Sequence, residues 1–220
     1  QTFGVQRCPT HLLIVMPITI RPIKRTMMPN KNATACNGCP LYDRPMVWSD
    51  GPRDAEVMFI GRNPGDVEIR TGRPFTGPAG IRLDKVIGDV GLDRSRVYVT
   101  NVVKCHTEEN KNPPQDAYRR CITRLKAETL RMKPKLVVVL GRDAEKYVIA
   151  SQFKFQKVLP IVHPSAALRM PIFEARLRMQ TQALGAILDR MSLHVPIISN
   201  PLKRARKINV LFSPVEGGNP

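Results

Sequence analysis

The segment that most constrains the fold is residues 61–80, which read GRNPGDVEIRTGRPFTGPAG. Five glycines and three prolines among twenty residues exclude the interior of a helix or a strand. The preceding residues 56–60 are apolar like a buried strand, and residues 79–90 alternate at helical spacing. Open α/β sheets bind ligands on such loops, at the carboxyl ends of their strands. We therefore predict that residues 61–80 form a stiff active-site loop between a strand and a helix.

The rest of the chain alternates predicted strands and predicted helices. Three further strands are predicted from apolar, β-branched runs at residues 97–103, 136–141 and 158–162. Helical periodicity is found at residues 117–132, 142–150 and 172–191. This alternation is typical of the α/β class, in which helices cover both faces of a parallel sheet.

The length and charge of the chain indicate one basic domain with two basic ends. The 220 residues include 35 Lys and Arg against 18 Asp and Glu, for a net charge of +17. We expect a domain at residues 35–199, between a loosely ordered extension (residues 1–34) and a Pro- and Gly-containing tail (residues 200–220). The two ends carry nine basic residues and one acid, so the domain itself keeps +9. Such an excess favours a polyanionic partner, because binding to phosphates releases counterions.

No segment of the sequence is predicted to cross a membrane. The longest apolar run, residues 11–16, ends at Pro17 and is far shorter than the roughly 20 residues that a bilayer requires. No small-residue cleavage site follows it, so a secretory signal is not expected. We expect a monomer in the cytoplasm or associated with the nucleoid.

Four of the five cysteines fall into two pairs, which favours metal binding over disulfides. Two residues separate Cys36 from Cys39, and fifteen separate Cys105 from Cys121. Four soft thiolates suit either an iron–sulfur cluster or a structural zinc, and the spacing does not separate the two. Cys8, in the N-terminal extension, is expected to be a spare thiol.

Six motifs, taken in order, resemble the uracil-DNA glycosylase superfamily, most closely its iron–sulfur family 4 enzymes. They are Cys36-x2-Cys39-Pro-Leu, the glycine loop with Gly-Arg-Pro-Phe-x-Gly-Pro-Ala-Gly, Thr-Asn101-Val-Val-Lys-Cys105, Cys121, Lys-Pro-Lys-Leu before Gly141, and His163-Pro-Ser. The resemblance covers residues 35–190 and implies a three-layer α/β/α sandwich around a four-stranded parallel sheet. It also implies a [4Fe–4S] cluster on the paired cysteines, with zinc as the alternative, and excision of uracil from single- or double-stranded DNA.

The first motif departs from the family 4 pattern. Family 4 enzymes carry an acidic residue after the first glycine and then a small residue, where this chain has Arg62 and Asn63. Gly-x-Asn-Pro-Gly instead resembles the mismatch-specific and single-strand-selective families, in which the asparagine positions the attacking water. The resemblance therefore implies a catalytic Asn63, and it leaves the reaction rate and the base preference open.

Breaking an N-glycosidic bond to uracil requires a flipped base, a stabilised uracil anion and a placed water molecule. His163 is predicted to donate an imidazole N–H to the uracil O2; the alternative is a structural histidine. Asn63 is predicted to orient the water. Glu68 is predicted to assist catalysis because it matches an acidic position of the family; the alternative is an exposed loop acid.

Base recognition is predicted to involve Asn101 and Phe75. The amide of Asn101 matches the N3–H and O4 edge of uracil, and the ring of Phe75 would stack on the extruded base. The alternatives are an asparagine that caps a turn and a phenylalanine that fills the core. The remaining predicted contacts to the base are Gly61, Gly65 and Ser165.

DNA contacts are predicted for Arg62, beside the catalytic loop, and for Leu168 and Arg169, which suit a wedge that enters the base stack. The alternative for Leu168 and Arg169 is the N-terminal turn of the last helix. Phosphate contacts or solvated charges around the cysteines are expected at Lys104, Lys111, Arg119 and Arg120. Residues 61–80 contain no lysine, so we expect a monofunctional DNA glycosylase of base excision repair, without a lyase step. The alternative is a catalytically weakened glycosylase fold that serves as a DNA-binding or replication-accessory module.

Overall fold

A four-stranded parallel sheet forms the centre of the protein. The computed structural model describes residues 36–150 and 157–193. The strands are β1 (Val57–Gly61), β2 (Tyr98–Asn101), β3 (Leu136–Leu140) and β4 (Val158–Ile161), in the order β2-β1-β3-β4. Every neighbouring pair is parallel, which confirms the predicted sheet. The predicted extension at residues 1–34 and the predicted tail at residues 200–220 lie outside the described residues.

Six α-helices accompany the strands in the described part of the chain. They are α1 (Asp66–Thr71), α2 (Pro78–Asp89), α3 (Gln115–Met132), α4 (Arg142–Ala150), α5 (Pro164–Ala167) and α6 (Pro171–Met191). Short 3-10 turns lie on either side of β2, at Arg94–Arg96 and Glu108–Asn110. Helices α2, α3, α4 and α6 correspond to the four helical segments predicted from periodicity. None of these helices is long and apolar enough to cross a bilayer.

The sheet separates two apolar layers, because successive strand residues point to opposite faces. Phe59 of β1 belongs to a buried cluster with the inward faces of α2 and α6. Its neighbour Met58 belongs to a second cluster, formed with α3 and α4. Strands β1 and β3 are buried along their whole length, which explains why both read as continuous apolar runs. The predicted three-layer α/β/α sandwich is confirmed.

The glycine-rich segment contains a short helix, and the prediction that residues 61–80 exclude helix was wrong at this point. Helix α1 fits there because the glycines flank it instead of interrupting it. Gly65 is its N-cap, and Gly72 ends it in the left-handed conformation with a φ of 71°. The predicted strand at residues 97–103 is also shorter than expected, since β2 ends at Asn101.

Candidate active site

A cavity of about 610 Å³ opens at the carboxyl ends of the four strands. Its lining includes Asn101 at the end of β2, Gly141 after β3 and His163 after β4. This is the edge at which parallel α/β sheets bind their ligands, and the volume suits a small molecule or a single base. The predicted site residues that line it are Arg62, Asn63, Gly65, Glu68, Phe75, Asn101, His163, Ser165, Leu168 and Arg169.

Asn101 and Phe75 meet across Gly61. Asn101 is 3% exposed, and its Oδ1 has no hydrogen-bond partner among the described residues. A buried oxygen without a partner is costly in free energy, so this atom is suited to accept a hydrogen bond from a ligand. A Cβ at residue 61 would lie 2.5 Å from Asn101 Oδ1 and 2.5 Å from Phe75 Cζ. Gly61 therefore contributes by leaving room for its two neighbours.

His163 presents a defined tautomer to the cavity. Its Nδ1 accepts a hydrogen bond from the backbone N–H of Ser165 at 3.1 Å and lies 2.8 Å from Ser165 Oγ. Because Nδ1 is an acceptor, the proton of the neutral ring resides on Nε2. Burial, followed by the positive charges of Arg62 and Arg169, lowers the pKa of His163 to about 4. The ring is therefore neutral at pH 7 and keeps one N–H to donate.

Phe75 contacts both the core and the cavity. Its ring is 7% exposed, belongs to the apolar cluster of α2 and α6, and also lines the cavity. The ring centroid lies 5.9 Å from that of His163, with the two planes tilted by 34°. The backbone of Phe75 is left-handed, with a φ of 55°, which is unusual for an aromatic residue. The segment thus holds this ring in place at a conformational cost.

The amide of Asn63 is held at both ends. Its Oδ1 accepts from Arg62 Nε at 2.7 Å. Its Nδ2 donates to Thr107 Oγ1 at 3.1 Å and to the carbonyl of Pro64 at 3.1 Å. One lone pair of Oδ1 remains for a water molecule, so the side chain can orient water but cannot deprotonate it.

Arg62 is engaged by the protein itself. Its Nη1 donates to Asn112 Oδ1 and, at 3.1 Å, to Asp143 Oδ2, and its Nη2 donates to the carbonyl of Asn110 at 2.8 Å. Together with the bond to Asn63, these contacts use most of the guanidinium donors. The structure therefore gives Arg62 a bridging role between β1, the segment at residues 110–112 and helix α4.

Glu68 fastens the glycine-rich segment. Its Oε2 accepts from the backbone N–H of Gly65 at 3.0 Å. Its Oε1 accepts from the backbone N–H groups of Thr76 at 2.9 Å and Gly77 at 2.8 Å. Three backbone donors thus converge on one carboxylate, which ties the start of α1 to the residues before α2. The alternative of an exposed, unattached loop acid does not describe this side chain.

The rim of the cavity is formed by α5 and the residue pair that follows it. Leu168 is 53% exposed, and Arg169 beside it is also exposed. Apolar and cationic side chains that project together beside a cavity suit a wedge against stacked bases and phosphates. Leu168 and Arg169 therefore lie exposed at the rim, and their contact with DNA stays a prediction.

Comparison with known proteins identifies the family. The model of the uracil DNA glycosylase superfamily matches residues 48–185, which include all the cavity residues described above. The chain belongs to the uracil DNA glycosylase superfamily. The type-4 uracil-DNA glycosylase of Sulfurisphaera tokodaii is 34% identical over 160 residues, which are 62% of this chain and 73% of that protein.

Two further type-4 uracil-DNA glycosylases are similar. That of Thermotoga maritima is 32% identical over 150 residues, or 61% of this chain and 78% of that protein. That of Saccharolobus solfataricus is 31% identical over 178 residues, or 69% of this chain and 82% of that protein. The resemblance to this superfamily and to its type-4 members is confirmed.

The four cysteines that form two pairs in the sequence lie in one region of the core. Cys36, Cys105 and Cys121 are buried and Cys39 packs against the same apolar cluster, and all four are free thiols. Arg124 Nη2 donates to Cys36 Sγ at 2.9 Å. Within residues 36–150 and 157–193, however, no three Cys, His, Asp or Glu side chains stand close enough together to hold a metal ion.

A buried ion pair lies behind Asn101, where a solvated charge was expected. Lys104 is 0% exposed, and its Nζ donates to Glu128 Oε2 at 2.8 Å and to the carbonyl of Asn101 at 2.8 Å. Thr100 Oγ1 also accepts from this ammonium. The pair joins α3 to the end of β2 and thereby supports the glycosylase cavity. The sequence signal for this burial was the position of Lys104, which follows two valines and precedes Cys105.

His106 and Thr107 are the other cavity-supporting residues that sequence reasoning missed. His106 is 7% exposed, and its Nδ1 lies 3.0 Å from the carbonyl of Pro64. Its Nε2 lies 3.1 Å from Asp66 Oδ1. Thr107 is 5% exposed and contacts Asn63 as described. These partners lie forty or more residues earlier in the chain, so no local pattern indicates these roles.

Proposed function

We propose that this protein is a monofunctional uracil-DNA glycosylase, which hydrolyses the bond between uracil and deoxyribose and leaves an abasic site. Membership of the superfamily and the names of the type-4 relatives support this reaction. The observation that carries the proposal is the buried Asn101 Oδ1, which has no hydrogen-bond partner among the described residues and shares a cavity with the imidazole of His163. An acceptor and a donor in one cavity complement the edges of uracil.

Asn101 provides the discrimination between bases in this proposal. Its Oδ1 accepts from the N3–H of uracil, and its amide N–H groups donate to O4. Cytosine presents an acceptor at N3 and an amino group at the neighbouring position. It would therefore leave the buried amide facing groups of the same kind, which is the arrangement that gives strong rejection.

His163 stabilises the departing base. As the glycosidic bond lengthens, negative charge collects on the uracil O2, and the Nε2–H of the neutral ring donates to it. The positive charges of Arg62 and Arg169 act in the same direction, since the same charges that disfavour a protonated His163 favour an anion. Phe75 supplies a face against which the flipped base stacks.

Asn63 places the water that attacks the sugar. A carboxamide is not a base, and none is needed if the sugar develops oxocarbenium character before the water attacks, as in glycoside hydrolysis generally. Gly65 and Ser165 complete the cavity, and Glu68 keeps the segment closed around it. Residues 61–80 contain no lysine for a Schiff base, which supports hydrolysis without strand cleavage.

The DNA partner binds across the rim of the cavity. Leu168 enters the base stack at the vacated position, and Arg169 contacts the neighbouring phosphate. The net charge of +17 supports non-specific attraction to either single- or double-stranded DNA. We propose a monomer that acts on DNA in the cytoplasm or nucleoid.

The cysteines are proposed to hold a [4Fe–4S] cluster. The chemistry of the donor set supports this proposal, because four free thiols from three chain segments share one buried region and Arg124 donates a charge-assisted hydrogen bond to Cys36, although no three of these thiols stand at metal-binding separation in the described structure. Such a cluster would join residues 36–39, the segment that follows β2 and helix α3. Anaerobically purified protein is expected to be brown, with broad absorbance near ~400 nm. A colourless protein that contains one zinc per chain would instead support the zinc alternative.

The test of the function is base release from oligonucleotides that contain uracil, hydroxymethyluracil, hypoxanthine or no modified base. We expect alkali-labile sites with uracil and a large loss of rate in Asn63→Ala and in His163→Ala. Wild-type rates in both variants would contradict the catalytic assignments. Tight, salt-sensitive DNA binding without release of any base would contradict the enzyme and support the accessory DNA-binding module.

A further inference from the structure

The catalytic motif is supported by a segment that is far away in sequence. Residues 106–112, which follow Cys105, contact residues 62–66 through Arg62, Asn63 and Asp66. The contacts to Arg62 and Asn63 are given above, and Asn110 Nδ2 donates to Asp66 Oδ2 at 3.2 Å. The segment itself is constrained, since Glu109 and Asn110 both adopt left-handed φ angles of 51° and 53°. Strained backbone of this kind is typically retained where it positions a functional group.

Within this segment, Thr107 has a fixed hydrogen-bond direction. Its hydroxyl donates to the carbonyl of Lys111 at 2.6 Å. A carbonyl is only an acceptor, so the single hydroxyl proton of Thr107 is used there. The oxygen of Thr107 can then only accept, and the group that it faces is the Nδ2 of Asn63. The hydrogen bonds therefore run in one direction: Asn63 donates to Thr107, and Thr107 donates to the carbonyl of Lys111.

The opposite end of the Asn63 amide faces a group that can only donate. Arg62 Nε lies 2.7 Å from Asn63 Oδ1. Rotation of the amide by 180° would place its NH₂ group against the guanidinium and its oxygen against a hydroxyl that has no proton left to donate. Both ends would then be mismatched. Thr107 and Arg62 consequently specify which end of the amide is the oxygen.

We propose that Thr107 is a positioning residue that fixes the Asn63 amide for the attack of water. This inference rests on the proposed function, because the atom being positioned is the Oδ1 that holds the water. Thr107 contacts neither the base nor the sugar and acts through Asn63. It makes no contribution to binding the base, so its loss affects the chemical step and leaves substrate affinity unchanged.

The experiment compares Thr107→Val and Thr107→Ser, each in the wild-type and the Asn63→Ala background. Thr107→Val is expected to lower the single-turnover rate of uracil release by roughly 10- to 100-fold, since small misplacements of reacting groups have effects of this size. Its KM is expected to be unchanged, as is its Kd for a duplex whose uracil nucleotide carries a 2′-fluorine to slow cleavage. Thr107→Ser keeps the hydroxyl and is expected to restore most of the rate.

In the Asn63→Ala background, the loss from Thr107→Val is expected to disappear, because the group that Thr107 positions is absent. The matched control is Thr181→Val, which removes another buried threonine hydroxyl that donates to a backbone carbonyl, in helix α6. It is expected to match Thr107→Val in thermal stability and to keep the wild-type rate.

Two results would overturn the inference while leaving the proposed function intact. One is an equal fold-loss from Thr107→Val in both backgrounds, and the other is a loss that Thr107→Ser does not reverse. A wild-type protein that releases no uracil would instead overturn the proposed function, and this inference with it.

Discussion

The substitution Gly61→Ala would test whether Asn101 and Phe75 form the base-reading wall. The added Cβ would lie 2.5 Å from Asn101 Oδ1 and 2.5 Å from Phe75 Cζ, well inside van der Waals contact. Both side chains are buried except where they line the cavity, so the added methyl group would push one or both of them towards it. Overpacking of this kind costs about 1–3 kcal/mol, which for a domain of this size lowers Tm by about 2–12 °C.

The effect on activity follows from Asn101. If the displaced amide loses its hydrogen bond to a base that carries developing charge, about 1.5–3 kcal/mol of transition-state stabilisation is lost. At 1.36 kcal/mol for each factor of ten, kcat/KM for uracil is expected to fall by about 10- to 150-fold. Discrimination against cytosine is expected to fall as well, because the same amide provides it.

The assay is single-turnover release of uracil and of cytosine from matched oligonucleotides, together with thermal unfolding. Gly88→Ala is the control, since a Cβ at this position of α2 meets nothing within 4 Å. A helical Gly→Ala change is expected to stabilise the protein by about 0.5–1 kcal/mol and to leave the rate unchanged. If Gly61→Ala keeps wild-type kcat/KM and wild-type discrimination, Asn101 does not read the base.

Three further substitutions test the groups around the cavity. Because the pKa of His163 is lowered to about 4, uracil release is expected to show no inflection between about pH 5 and pH 8. The free energy of unfolding is expected to fall as the pH drops from about 6.5 towards about 4, because in this range the His163 imidazole binds a proton only in the unfolded chain. In urea titrations, His163→Gln should remove this pH dependence. Glu68→Gln would offer one oxygen to three backbone donors, so the free energy of unfolding in urea is expected to fall by about 1–3 kcal/mol. Uracil release is expected to be slower. Unchanged stability would contradict the role of Glu68 in fastening the segment. Lys104→Met is expected to cost about 3–5 kcal/mol by leaving Glu128 buried and unpaired, and the double variant with Glu128→Leu should lose less in the same denaturation assay.

The sheet and most of the helices were predictable because their signals are local. Apolar runs at residues 57–60 and 136–140 needed only to be long enough and β-branched enough to be recognised as buried strands. The site was predictable for the same reason. Asn101 and His163 lie at strand ends, and parallel topology brings strand ends together.

The remaining features depend on contacts that sequence patterns do not record. Helix α1 was missed because glycine content was counted without regard to position, and Gly65 and Gly72 lie at its two ends. Apart from its bond to the adjacent Asn63, the contacts of Arg62 come from residues 48 to 81 positions away, so no local pattern indicates its bridging role. Lys104 was expected to be a phosphate contact or a solvated charge, because lysine is rarely buried without a partner. Its buried partner Glu128 lies in helix α3, far from Lys104 in the sequence.

The contacts between residues 62–66 and residues 106–112 have a consequence for how such enzymes diversify. Two short segments that share a network of hydrogen bonds cannot be exchanged independently. A chimera that received Arg62 and Asn63 alone would leave the guanidinium without its carbonyl and amide acceptors and the asparagine without Thr107. A change of catalytic motif in this fold would therefore have to be inherited, or engineered, as a paired replacement. The smallest portable unit of the chemistry is two loops rather than one.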